Sequence, residues 1–272
     1  MYGRELRKTI GQSTTSVAAF PMILRKFFPF GNRRGFCCVH PFSVCELFSQ
    51  EKRKSLQDKV SKLHRARSSS IRGVVDGNQI GLLKRAAVLV PLVSVNGQSC
   101  LLYTARSSNL RSHGGEISFP GGKFDSLDKN AEGAALRETE EELGLNRNLF
   151  EIWAQLPSLQ GRDGKTAITP VIALLREPLI LSSLKPNPEE VSSIIICTVA
   201  ELCQEKNQAF TQFRAGYTLP VYFGQQTDDN RHPKIWGLTA IITHLTLNAL
   251  IPDVYKLKLP FVKKIRRISS DK

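Results

Sequence analysis

The pattern of apolar and polar positions along this 272-residue chain changes at residue 86, where long apolar runs begin. Continuous apolar runs at 86–93 and 99–104 predict two buried strands, and the Asn-Gly pair at 96–97 predicts a tight turn between them. Similar runs at 168–175 and 193–199 predict two later strands.

Helical periodicity marks three other segments. The polar segment 49–68 carries Leu56, Val60 and Leu63 at helical spacing, and 238–250 is expected to form the closing helix. The third helix is predicted for Ala131–Leu143, with Gly144 as its C-terminal stop.

The helix predicted at 131–143 places three glutamates on one face, because Glu138, Glu141 and Glu142 follow i, i+3, i+4 spacing. Such like charges repel, and Mg²⁺ or Mn²⁺ would offset the repulsion. Arg137, four residues before Glu141, can pair with that carboxylate. The alternative is a solvated acidic face, and the Gly-Gly turn at 121–122 favours the metal site because glycine permits close backbone approach.

The segment 122–145 resembles the Nudix box, G-x5-E-x7-R-E-U-x-E-E-x-G-U. Thr139 stands where an aliphatic residue is usual. The spacing from glycine to arginine is one residue longer than in the general box, so the isolated glutamate falls on Asp128 counted forward or on Lys129 counted back.

The longer spacing resembles the coenzyme A diphosphatase branch of the Nudix hydrolases, found in mitochondria or peroxisomes. That branch carries a second signature, L-L-T-x-R-S-x3-R-x3-G-x3-F-P-G-G, which residues 102–122 match except at Tyr103. Segments 166–171, 187–191 and 235–240 also look like that branch.

The resemblance implies a fold, a reaction and a set of site residues. The fold would be an α/β/α sandwich with a mixed sheet, and the reaction hydrolysis of the diphosphate of coenzyme A or acyl-coenzyme A with Mg²⁺ or Mn²⁺. Catalysis would involve Arg137, Glu138, Glu141 and Glu142, with the three glutamates and the Gly121 carbonyl as metal ligands. Substrate contacts would come from Arg106, Arg111, Phe119 and Glu190.

Each proposed substrate contact has a structural alternative. Arg106 and Arg111 can bind phosphates, pair with Glu116 or cap loops; Phe119 can fill the core; and Glu190 can be a late metal contact or a solvated loop acid. His113 is a weaker phosphate donor candidate. Two other functions stay open: hydrolysis of another nucleoside diphosphate derivative, such as NADH, ADP-ribose or capped RNA, and a non-enzymatic scaffold bound to RNA or the mitoribosome.

The formal net charge of +14 suggests an anionic partner until its distribution is considered. Residues 1–85 hold 17 Lys and Arg against 5 Asp and Glu, and residues 255–272 hold 7 against 1. The middle, 86–254, holds 14 against 18 and is mildly acidic, which disfavours nucleic acid as the partner. The substrate is instead expected to be a small molecule.

The basic, hydroxylated and acid-poor segment 1–50 is typical of a mitochondrial transit peptide, and the alternative is a disordered basic segment without a targeting role. Peroxisomal and cytoplasmic locations are the alternatives to the mitochondrion. The apolar stretch 17–24 is too short to span a bilayer. The predicted organisation is therefore a leader at 1–50, a helix and linker at 51–83, the catalytic domain at 84–254 and a basic tail at 255–272. Six cysteines without Cys-x-x-Cys spacing indicate a reducing compartment and no structural zinc site.

Overall fold

A computed structural model describes residues 41–65, 75, 83–108, 114–213, 217–224 and 232–259. The α-helices in these ranges are α1 (Val44–Leu47), α2 (Gln50–Arg65), α3 (Ala131–Leu143), α4 (Val199–Leu202) and α5 (Gly237–Leu250). Short 3₁₀ turns lie at Arg147–Leu149, Leu181–Ser183 and Glu205–Asn207.

The strands form one large mixed sheet and one small antiparallel sheet. Their bounds are β1 (Lys84–Val95), β2 (Gln98–Arg106), β3 (Ile117–Ser118), β4 (Gly121–Lys123), β5 (Phe150–Gln155), β6 (Leu159–Gln160), β7 (Thr166–Leu175), β8 (Val191–Thr198), β9 (Gln208–Phe213), β10 (Tyr217–Phe223) and β11 (Lys234–Ile235). The large sheet has the order β3-β2-β1-β7-β5, with β4 on β1, β6 on β7 and β8 on β2. Strands β1 and β7 are parallel, and the other pairs are antiparallel.

Helices cover both faces of the large sheet, which confirms the predicted α/β/α sandwich. Along β1, Ala87 and Leu89 pack with α3 on one face, whereas Val90 and Leu92 pack with α2 and α5 on the other. This alternation follows from the two-residue period of a strand buried on both sides. Among the described α-helices, α3 is the one that packs on this face of the sheet.

The hairpin and the acidic helix form where the pattern predicts them. Asn96 and Gly97 have φ of 50° and 74°, the left-handed geometry that lets two residues connect antiparallel strands. Helix α3 has the predicted bounds, and Gly144 ends it in the left-handed conformation at φ 70°.

Helix α2 is an integral part of the domain. Its apolar stripe is buried, with Leu56 fully inaccessible and Val60 4% exposed. Along the edge strand β5, Arg53 Nη2 donates to the Ile152 carbonyl and Gln57 Nε2 to the Trp153 carbonyl, at 3.2 and 2.9 Å.

The folded region extends beyond the predicted domain limits at both ends. Leu47 is fully buried, so residues 41–50 belong to the fold although the sequence interpretation placed them in the leader. At the other end, Tyr255 is 3% exposed and its hydroxyl bonds to Tyr222, so the basic tail begins later than 255. Leu47 and Tyr255 both belong to the hydrophobic cluster that also includes residues of α2 and α5.

The predicted leader residues 1–40, most of the predicted linker and residues 260–272 lie outside the described residues. Cys100 and Cys197 are buried. Among the described helices, none has the length and apolar character needed to cross a membrane.

Candidate active site

Helix α3 is fixed at both ends, which holds its glutamates in place beside β4. At the start, Asn130 Oδ1 accepts the Gly133 N–H at 2.9 Å and caps the helix. At the end, the Gly144 N–H donates to the Glu140 carbonyl at 2.9 Å. The asparagine cap was not part of the sequence prediction.

Two glutamates of α3 reach the Gly-Gly turn at the start of β4. A Cβ atom built on Gly122 would lie 2.4 Å from the Glu138 carboxylate, and one on Gly121 would lie 2.3 Å from the Ala87 carbonyl oxygen. The Gly121 amide is directed at the Glu142 carboxylate. A side chain at Gly121 would meet backbone, and one at Gly122 would displace the Glu138 carboxylate.

A third carboxylate comes from a distant part of the chain. Glu138, Glu142 and Glu190 each offer an oxygen, and these three oxygens lie within 4.8 Å of one another. Glu190 immediately precedes β8, and its carbonyl accepts the Ser107 N–H at 2.8 Å. The pairing of β8 with β2 thus brings Glu190 to the acidic helix.

Glu142 is the most deeply buried of the three carboxylates. It is 3% exposed, and among the described residues its Oε2 atom has no hydrogen-bond partner. Burial raises the pKa of Glu142 to about 8, an effect that the positive charge of Arg106 opposes and that Glu190 and Glu138 reinforce. Within the described part of the chain, the charge of Arg106 therefore does not offset the burial of this carboxylate.

Arg137 organises the carboxylates around Glu138. Its guanidinium donates to Glu138 Oε1 at 3.1 Å, to Glu141 Oε2 at 2.9 Å and to the Lys123 carbonyl at 3.0 Å. Desolvation nonetheless raises the pKa of Glu138, and Arg137 only partly counteracts this. One oxygen of Glu138 is thereby held in a fixed position.

Asp128 takes up the remaining side of the Arg137 guanidinium. Arg137 Nε donates to Asp128 Oδ1 at 3.2 Å and Nη2 to Oδ2 at 2.9 Å, a two-point pair. These bonds lower the pKa of Asp128. The sequence left positions 128 and 129 open for the isolated acid of the box. In the structure, the acid that pairs with Arg137 is Asp128.

Glu141 differs from its two neighbours in α3. The sequence placed it on the same face as Glu138 and Glu142, but its side chain is 55% exposed and pairs with Arg137. It is not among the three carboxylates whose oxygens converge. Successive residues of an α-helix are rotated by about 100° around its axis. When Glu142 points into the protein, Glu141 therefore lies on the solvent side of the cluster.

The predicted substrate contacts have different surroundings. Arg106 ends β2, close enough to Glu142 for its charge to lower that carboxyl's pKa. Phe119 is 2% exposed and stacks on Tyr103 with ring centroids 4.6 Å apart, so it fills the core and is not a substrate surface. Arg111 and His113 lie outside the described residues.

The chemistry of this donor set fits a hard divalent cation. Three carboxylates converge, and Oε2 of Glu142 is a buried carboxyl oxygen that lacks a partner in the described ranges and that a cation would satisfy. Glu138, Glu142 and Glu190 would hold such an ion. Helical spacing identifies the first two, whereas Glu190, 48 positions from Glu142, is indicated only by the resemblance of segment 187–191 to the coenzyme A diphosphatase branch.

Comparison with known proteins shows a NUDIX domain over most of the folded region. Residues 83–218 match the NUDIX domain. "Mitochondrial coenzyme A diphosphatase NUDT8" of Mus musculus is 47% identical over 176 residues, which cover 63% of this chain and 80% of the mouse protein. The Homo sapiens protein of that name is 44% identical over 179 residues, which cover 64% of this chain and 72% of the human protein.

A more distant relative is also similar. "Nudix hydrolase 3" of Caenorhabditis elegans is 36% identical over 182 residues, which cover 62% of this chain and 75% of the relative. The segment 83–218 that matches the NUDIX domain contains both the acidic helix and the Gly-Gly turn.

Proposed function

The chain belongs to the NUDIX family, and from this premise we propose that it is a mitochondrial coenzyme A diphosphatase. It would hydrolyse the diphosphate of coenzyme A or acyl-coenzyme A to 3′-phosphoadenosine 5′-phosphate and 4′-phosphopantetheine or its acyl form. The two relatives at 44–47% identity are named for this activity and this location. The basic composition of the first 50 residues agrees with mitochondrial import.

The observation that carries the proposal is the convergence of three carboxylates, one of them the buried Glu142, whose Oε2 has no hydrogen-bond partner within the described part of the chain. Nudix hydrolases use divalent metal ions, and we propose Mg²⁺ or Mn²⁺ held by Glu138, Glu142 and Glu190. When bound, such an ion supplies charge neutralisation at the two phosphates and acidifies a water ligand. Glu141 would contribute indirectly, through its pairing with Arg137.

The protein groups around the cluster would supply the rest of the chemistry. Arg106, whose charge already acts on Glu142, would bind a phosphate of the substrate. Glu138 Oε1 is held by Arg137, so Oε2 is the atom that would accept the proton of the attacking water. Burial makes Glu138 a stronger base than a solvated glutamate, which suits this role.

The distribution of charge supports a small substrate over RNA. The segment 86–254 contains the site and holds 14 basic against 18 acidic residues. Phosphate-backbone binding requires a basic surface, whereas one diphosphate requires a few well-placed charges and an ion.

The test is product identification with the full chain. Coenzyme A, acetyl-coenzyme A and a longer acyl form are incubated with the protein and Mg²⁺ or Mn²⁺, and 4′-phosphopantetheine species are measured by mass spectrometry. NADH, ADP-ribose and capped RNA serve as competing substrates, and Glu142→Gln serves as the inactive control. Faster turnover of one of the competitors, or no turnover of any coenzyme A form, would refute the proposal.

A further inference from the structure

Asn187 connects the main chain at Glu142 to the main chain at Glu190, two glutamates that come from separate elements. Its N–H donates to the Glu142 carbonyl at 2.9 Å, and its carbonyl accepts the N–H of Glu190 at 3.1 Å and of Val191 at 2.8 Å. A single residue thus connects the end of α3 to the residue before β8. The lengths of these bonds lie in the ordinary range for N–H···O hydrogen bonds.

The side chain of Asn187 fixes the turn that makes this connection possible. Its Oδ1 accepts the Glu189 N–H at 3.1 Å, which closes a turn between residues 187 and 189. Glu190 follows directly, and its carbonyl is held by the Ser107 N–H at 2.8 Å. The loop is therefore anchored at α3, at the end of β2 and within itself.

Glu190 depends on this backbone for its position. Among the residues that the structure describes, no hydrogen bond or ion pair holds the Glu190 carboxylate, whereas Arg137 holds Glu138 and the Gly121 amide faces Glu142. Its oxygen nevertheless lies within 4.8 Å of the ligand oxygens of both. The placement of the third carboxylate must come from the course of the main chain.

We propose that Asn187 is the positioning residue of the carboxylate cluster: its side chain holds the loop in the turn that keeps Glu190 at metal-binding distance from Glu142 and Glu138. This rests on the metal-binding part of the proposed function. Replacement by alanine removes the Oδ1 acceptor, releases the Glu189 N–H and lets Glu190 move away from the other two glutamates.

Asn146 provides a matched control. Its Oδ1 accepts the Asn148 N–H at 2.9 Å, the same two-residue turn, but it precedes the 3₁₀ turn at Arg147–Leu149 and contacts none of the three clustered carboxylates among the described residues. Alanine at either position removes one asparagine turn of the same kind. Only the turn at 187 connects to Glu142 and Glu190.

The experiment is a Mn²⁺ titration of the full chain, with free Mn²⁺ measured by electron paramagnetic resonance. Asn187→Ala is expected to weaken Mn²⁺ binding by about 10-fold or more, as loss of an outer-shell support does. Asn146→Ala is expected to stay within about twofold of wild type, although its turn is equally lost. Asn187→Asp keeps an acceptor oxygen and is expected to restore wild-type affinity.

Equal Mn²⁺ affinity of Asn187→Ala and wild type would overturn the inference, and so would an equal loss in Asn146→Ala or a failure of wild type to bind Mn²⁺. If Asn187→Ala does not fold, Asn187→Ser, which retains a weaker hydroxyl acceptor, is expected to show an intermediate loss. Coenzyme A hydrolysis by wild type is measured in parallel. An inactive wild type with the predicted Mn²⁺ pattern rejects the proposed substrate alone, and an active wild type without that pattern rejects the role of Asn187 alone.

Discussion

The Glu138 carboxylate occupies the space that a side chain at Gly122 would fill. A Cβ atom there would lie 2.4 Å from both Cδ and Oε1 of Glu138, well inside van der Waals contact. The neighbouring atom is the far end of a flexible side chain, so the glutamate can move and the backbone need not. Gly122 therefore sets where Glu138 points.

Gly122→Ala is expected to lower coenzyme A turnover by about 100-fold while reducing stability only modestly, because the displaced Glu138 carboxylate is an outer group that can rotate away. Turnover and thermal unfolding are measured together. Gly133→Ala is the control, since its Cβ would meet Asn130 Oδ1 at an ordinary 3.4 Å. Full activity in Gly122→Ala would show that the position of Glu138 is not critical.

Gly121→Ala is expected to destabilise the fold, and not only to change the site. Gly121 has φ of 146°, and its Cβ would lie 2.3 Å from the Ala87 carbonyl oxygen and 2.6 Å from the Val88 Cα atom. Backbone cannot rotate away as a side chain does, so β4 must separate from β1. A fall in the unfolding midpoint well below that of Gly122→Ala checks this, and equal midpoints would contradict it.

Glu142→Gln is expected to abolish turnover yet stabilise the metal-free protein at pH 8. Burial raises the pKa of Glu142 to about 8, whereas an unfolded glutamate titrates near 4.5, so the folded state binds the extra proton between these values. Wild-type stability without metal should therefore fall as pH rises from about 5 to 8. The amide removes this slope. Thermal unfolding in chelator across that range measures it, and an unchanged slope in the variant would assign the effect to another group.

His244 is expected to destabilise the fold on acidification. Burial lowers its pKa to about 4, below the usual 6.5, and its ring lies between Tyr255 Oη at 2.7 Å from Nδ1 and Asn248 Nδ2 at 3.0 Å from Nε2. The unfolded state takes up the proton first, so this contribution is complete above about pH 6.5 and is lost as pH falls toward 4. His244→Gln should show a shallower loss of stability between pH 7 and 5, measured by denaturant unfolding. A parallel slope in both proteins would refute this assignment.

Removal of residues 1–40 is expected to leave a folded, active protein, whereas removal of residues 1–66 is expected to leave an unstable one. The longer deletion takes away Leu47, Leu56 and Val60, each worth about 1.5–3 kcal/mol of burial. Circular dichroism melting and coenzyme A turnover of the two truncated proteins test the difference. A stable 67–272 fragment would show that α2 is dispensable.

Local chemistry explains which parts of the fold the sequence predicted. Helix α3 was predictable to the residue because Gly144 stops it, and the β1–β2 hairpin because Asn96-Gly97 suits its turn. Strands β9–β11 were not predicted, since their short and partly exposed runs lack a clear period.

The candidate site also has a part that the sequence predicted and a part that it did not. Helical spacing brought Glu138 and Glu142 together, but it did not distinguish them from Glu141, which turns to Arg137 and solvent. That choice depends on how deeply α3 packs against β1 and β4, a tertiary property. Glu190 joins the cluster only through the pairing of β8 with β2, which no local pattern specifies.

Helix α2 also has a consequence for the behaviour of the protein at high concentration. The outward carbonyls of an edge strand are a template on which another chain can add a strand. In β5 these groups at Ile152 and Trp153 already accept bonds from Arg53 and Gln57. Edge-to-edge aggregation on this side of the sheet therefore requires α2 to detach first. Helix α2 thus protects the protein from aggregation and also forms part of its core.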